Sequence, residues 1–182
     1  LFTGDYIAAL EQLENMREAA SQALDYWQHY AEELYRQVLE YSEVFLYTAL
    51  GQTEKLPGMY LGLSAMPDHM MGGMGLFNLL RARAAYLLGD ISIAAGACDL
   101  VLDLKEQQVQ HSQLIRLGAL ILKSRAETKL GNEKQALQLL STALQEAAPD
   151  GIYLLFAESA DELLPLLLKL KGTDRVPREY LQ

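Results

Sequence analysis

The sequence predicts an all-α fold, an array of antiparallel helix pairs, on three observations. Ala, Leu, Glu, Gln and Arg dominate the 182 residues, Pro is scarce, and β-branched residues never alternate as strands require. A Gly followed by a polar residue recurs at Gly4, Gly51, Gly89 and Gly131, and Ala9, Leu56, Ala94 or Ala136 stands five residues after it. Physically, Gly supplies a left-handed turn, the polar residue can cap the next helix, and the small residue lets two helices approach. Finally, "RARAAYLLGDISIAAGACDLVL" and "KSRAETKLGNEKQALQLLSTAL" align as two copies of one unit, pairing Arg81 with Lys123, Arg83 with Arg125 and Ala84 with Ala126.

The elements follow in order. A first helix is expected over 5–20, after the Gly4 turn, and a long one over 23–50. In the long helix Trp27, Tyr30, Ala31, Leu34, Val38, Tyr41, Phe45 and Ala49 form one apolar stripe, ended by Gly51 as C-cap. A third helix over 52–63 is disturbed by Pro57 and Gly58. Ser64 to Gly75, "SAMPDHMMGGMG", carries Pro and three Gly and reads as a long loop. Two helix pairs then turn at Gly89 (74–88 and 90–106) and at Gly131 (109–130 and 132–147).

The chain closes with "APDGIYLLFAESADELLPLLLKLKG", Ala148 to Gly172, its most apolar stretch. Glu158, Asp161, Glu162 and Lys169 break the run, and charges of this kind cost about 2.5–3.5 kcal/mol each near a bilayer centre, so it packs against protein. Pro149 and Gly151 stop the last full pair, a short helix follows over 151–157, and Ser159 with Glu162 reads as an S-x-x-E capping box opening a helix over 160–171. Lys169 and Lys171 suit that helix's C-terminal dipole, and Pro165 is expected to bend it. A terminal unit of this kind covers the exposed face of the unit before it.

Charge and composition exclude several functions. A formal charge of −9 with no basic run argues against gripping a phosphate backbone. The single cysteine, Cys98, fits a reducing compartment and falls on an apolar helix face, where it reads as a packed residue. No export signal is present, so a cytoplasmic location is expected. His29, His69 and His111 lie about forty residues apart without ligand spacing, so no metal site is expected. No phosphate loop, nucleophile elbow or convergent acid–base pair appears, and the chain reads as a non-enzyme that binds no cofactor itself. Because residue 1 is Leu, the sequence reads as a piece of a longer protein.

The pair repeat resembles the tetratricopeptide class, with Asn78 and Leu120 where that class places a large aromatic residue. A tighter resemblance is to the MalT-like transcription regulators of the LuxR family. It rests on "LLRARAAYLLGD" (Leu79 to Asp90), on "LGNEKQALQLLSTALQEAAPDG" (Leu130 to Gly151), on "IYLLFAES" and "DELLPLLLKL", and on "VPREYLQ" (Val176 to Gln182). It departs at Leu154, where members often carry Arg, and at Ala160, near which they carry Gly. The resemblance implies a right-handed superhelix over 1–175, with 176–182 leading toward a DNA-binding domain. It also implies an effector-sensing and protein-interaction role between a nucleotide-binding module and a helix-turn-helix domain, both outside this segment. ATP would belong to the first and DNA to the second. The implied partners are a small-molecule inducer or a regulatory protein, with self-association as a further expectation.

In helical arrays the first helix of each pair lines the concave face, so Arg83 and Arg125 are expected to stack there, with Tyr86 one turn from Arg83. Such a pair suits an anionic or hydroxyl-rich effector through forked hydrogen bonds; the alternative is that each Arg pairs with a neighbouring helix's carboxylate. Tyr26 and Tyr47 lie off the apolar stripe and are candidates for a partner surface. The alternative function is a scaffold that binds a peptide or partner protein on the concave face.

Overall fold

The computed structural model describes residues 5–23, 29–61, 74–103 and 113–171, and among them there are helices and turns but no strands. They are α1 (Tyr6–Ala23), α2 (His29–Ala49), α3 (Met74–Leu88), α4 (Ile91–Leu102), α5 (Gln113–Lys129), α6 (Glu133–Ala147), α7 (Leu154–Ala157) and α8 (Ala160–Leu170). They fall into two compact units, Leu1–Gly73 and Met74–Gln182. The loop expected over Ser64 to Gly75 lies outside the described residues except at its end, where Met74 and Gly75 already belong to α3.

In the first unit α1 packs on α2. Asp5 accepts the Ala8 N–H at 3.0 Å, so the polar residue after Gly4 caps its helix. Arg17 and Glu43 form an ion pair, and the Tyr6 and Phe45 rings meet at 6.3 Å. The α2 stripe differs from the expected one. Val44, Leu46 and Thr48 are buried while Val38 is exposed, so burial near the C-terminus of α2 spreads beyond a single face. Trp27 and the side chains of Tyr30, Ala31 and Leu34 lie outside the described residues. The helix expected over 52–63 is replaced by two 3-10 turns, Thr53–Lys55 and Gly58–Tyr60. Pro57, extended at ψ 141°, separates them, because its ring and missing N–H stop an α-helix from propagating. Tyr60 is buried and donates to Glu40 at 3.2 Å.

The second unit is built on neighbouring helices. α3 packs on α4, α4 on α5 and α5 on α6, with further contacts of α3 with α5, α5 with α7 and α6 with α8. Two cores share α5. One is rich in alanine: Ala82 and Ala85 from α3, Ala94, Ala95, Ala97 and Cys98 from α4, and Ala119 and Ala126 from α5. Small side chains let these helices approach closely, and a methyl group added at Gly118 would sit 3.0 Å from Leu79 Cδ2. The other core is rich in leucine and joins Leu117, Leu120 and Ile121 of α5 and Leu140 and Leu144 of α6 to Phe156, Leu163, Leu166 and Leu170. The apolar closing stretch therefore covers α5 and α6. α8 continues through Pro165 as one helix.

The turns follow one scheme. Gly51, Gly89, Gly131 and Gly151 all have positive φ, 62° to 86°. After each, the next N–H reaches back five residues: Gln52 to Tyr47, Asp90 to Ala85, Asn132 to Glu127 and Ile152 to Ala147, at 2.9–3.2 Å. This is the Schellman closure, which satisfies a carbonyl the helix would leave open. The capping expectation fails at Asp90 and Asn132, which occupy N-cap positions without a side-chain cap bond. Asn132 instead donates to Glu127 at 2.7 Å, tying the turn to the helix it leaves. Ala94 and Ala136 are fully buried as expected, and Ser124 donates to the Ala136 carbonyl at 2.8 Å where α5 meets α6.

Candidate functional site

Arg83 and Tyr86 lie one turn apart on α3, and Arg125 and Lys129 one turn apart on α5. Because α3 and α5 pack side by side in equivalent positions of the repeat, the four side chains reach a common region. The α7–α8 segment meets them there with Glu158, Ser159 and Glu162. Arg125 donates from Nε to Glu162 at 2.9 Å and from Nη1 to Ser159 Oγ at 2.9 Å. The Tyr86 hydroxyl donates to the same Glu162 oxygen. Arg83 stands 3.9 Å from Glu158, and Lys129 4.0 Å from the other Glu162 oxygen.

The Tyr86 ring joins the cations. The Arg125 guanidinium lies 4.4 Å from its centroid and the Lys129 ammonium 4.2 Å, within cation–π range. Arg83 and Arg125 are largely covered, with side-chain exposures of 22% and 18%, while Glu162 and Lys129 stay open to solvent. Three cations thus meet two carboxylates in a chain whose overall charge is strongly negative.

Electrostatics follow from this packing. Burial pushes Tyr86 above the usual phenol range, and its bond to the Glu162 carboxylate adds to the rise. Burial also acts to raise Glu162, but hydrogen bonds from Arg125 and Tyr86 and the charges of Arg125 and Lys129 outweigh it, so its carboxyl is held below the ordinary range.

The expected capping box does not form. Ser159 occupies the N-cap position of α8 but makes no side-chain cap bond, and Glu162 does not reach back to it. Both side chains are directed across to α3 and α5, where charge-assisted hydrogen bonds are stronger than a neutral cap. Arg125 lies over the Tyr86 ring, and each Arg faces a carboxylate of the closing segment, which is the alternative arrangement the sequence offered for the two arginines. Tyr47 is half-covered, with Lys55 over its ring at 5.4 Å, and burial raises its phenol. Tyr26 lies outside the described residues.

Elsewhere in the second unit, Lys123 pairs with Asp99, and Arg116 pairs with Glu146 through two hydrogen bonds of 2.9 and 3.0 Å. Cys98 is fully buried and its thiol is pushed up to about 12, burial outweighing the nearby Lys123 charge, which suits a packed residue. An open depression of about 840 Å³ lies over the Gly131 turn and α6, lined by Asn132, Lys134, Gln138 and Thr142 among others. None of the predicted site residues lines it. Its lining is mostly exposed and carries no convergent charge, so the polar cluster is the stronger candidate. Among the described residues no group of three or more His, Cys, Asp and Glu could hold a metal, and no helix is long and apolar enough to cross a membrane.

Comparison with protein-family models, curated proteins and solved structures finds no match to this chain.

Proposed function

We propose that this chain is an effector-sensing and protein-interaction region, a right-handed superhelix of antiparallel helix pairs like that of the MalT-like regulators. In such a protein it would control a nucleotide-binding module and a helix-turn-helix domain on either side. The observation that carries the sensing role is the meeting of Arg83, Tyr86 and Arg125 on the α7–α8 carboxylates. Repeat-equivalent cations here hold the closing segment by groups that an oxyanion can imitate. A phosphate or carboxylate on the effector takes the place of Glu162 on Arg125, and its hydroxyls bond Tyr86 and Ser159.

The exchange defines two states, α8 docked through Glu162 and α8 released with the effector on the arginines. An effector shifts the population only as far as it binds the released state better. Isothermal titration of the chain against inorganic phosphate, glucose 6-phosphate, citrate and a neutral oligosaccharide tests this role. At least one oxyanion is expected to bind, with affinity falling at least tenfold in R125A and in R83A. Absence of binding by every compound, or binding indifferent to both substitutions, would falsify the sensing role.

A further inference from the structure

The closing helix α8 has a second apolar face. Leu163, Leu166 and Leu170 are buried against α5 and α6, but Leu164 and Leu168 are 54% and 60% exposed. At about 100° per residue these two lie on one side of the helix, roughly opposite the buried leucines, with Asp161 and Lys171 on the same side. Glu162 and Lys169 fall on a different flank, where they pair with Arg125 and Glu133. Among the described residues neither Asp161 nor Lys171 has an ion-pair partner.

The order of these four residues is self-complementary. A two-fold axis through the level of Leu166 sets Leu164 against Leu168 of a second, antiparallel α8 and Asp161 against its Lys171. The symmetry repeats both contacts, so four leucines form a central cluster with one Asp–Lys bridge at each end. Asp161 and Lys171 are ten residues, about 15 Å, apart along the axis, so sliding one helix by a turn loses both bridges together. Isologous interfaces demand this kind of pattern, in which residue i meets j and j meets i.

We infer that the outer face of α8 is a self-association surface, pairing antiparallel with the same face of a second copy of this chain. Its seam is Leu164 and Leu168, and its register is set by Asp161 and Lys171. The inference is independent of the effector reading, which concerns the other flank of the helix. One helix face buries less than a standard interface and two chains of charge −9 repel each other, so the dimer is weak and reversible.

Sedimentation velocity on the full chain tests this, at concentrations on the order of 10 µM to 1 mM, where small interfaces populate. The mass is expected to rise from one chain toward two with concentration. L164E, with its circular dichroism unchanged, should remain a monomer throughout. D161K and K171D should each weaken pairing about tenfold, and the double swap D161K/K171D should restore it. A wild-type monomer at every concentration overturns the proposal and leaves the face to another partner. A dimer that survives L164E, or a double swap that fails to restore pairing, overturns it equally.

Discussion

Glu162 receives the Tyr86 hydroxyl, the Arg125 guanidinium and the Lys129 charge, so it couples α8 to two other helices at once. In a double-mutant cycle, R125A and E162A should show a coupling of about 0.5–1 kcal/mol, the range of solvent-open pairs, because Glu162 is too exposed for more. The sign of its pH dependence follows from its lowered carboxyl. Its stabilisation is present above the ordinary glutamate range and is lost as pH falls through the lower folded value. Urea midpoints of wild type and E162Q should therefore differ at neutral pH and converge as pH falls below the ordinary glutamate range; a constant difference contradicts the coupling. Sequence reasoning reached Arg83 and Arg125 because repeat alignment reports equivalent positions, and Tyr86 because it stands one turn from Arg83. It missed Lys129, whose aligned partner is Leu87, since a ladder argument flags only positions occupied alike. It misread Glu162 because S-x-x-E spacing looks the same whether the side chains cap their own helix or reach across to another.

Among the elements, the glycine turns were the most legible feature, since a left-handed residue followed by a new helix leaves a local signature. Gly131 at φ 83° has open space around its missing Cβ, so the cost of G131A is purely conformational, about 1–2 kcal/mol. Gly96 is exposed within α4, has open space and ordinary φ, and G96A should stabilise by about 0.5–1 kcal/mol. Thermal or urea unfolding of the two variants measures both, and shifts of the same sign would contradict the turn scheme. The helix expected over 52–63 was only half legible: Pro57 and Gly58 marked a disturbance, but whether it bends one helix or divides the segment into two short turns is decided by the extended backbone at Pro57. The capping roles of Asp90 and Asn132 also failed, since a polar side chain beside a turn has several possible acceptors and donors and position alone does not choose among them.

At the scale of the molecule, the second unit is a set of neighbouring helices closed by α7 and α8, whose inner leucines cover α5 and α6. The all-α class and the covering role of the apolar tail were legible because periodicity and broken apolar runs report burial directly. Which side chains fasten that tail was not legible, since Tyr86 and Glu162 are 76 residues apart in sequence. The sensing proposal requires that α8, held inside by leucines and at its rim by ion pairs, yield to a competing anion while the rest of the unit stays folded. The most direct test of the proposed sensing role is hydrogen exchange of the α8 amides, residues 163, 164 and 166–170, with and without a saturating oxyanion such as glucose 6-phosphate. Ligand should raise exchange in α8 toward the level of R125A while α4 stays protected; α8 protection unchanged by both ligand and R125A would contradict the account.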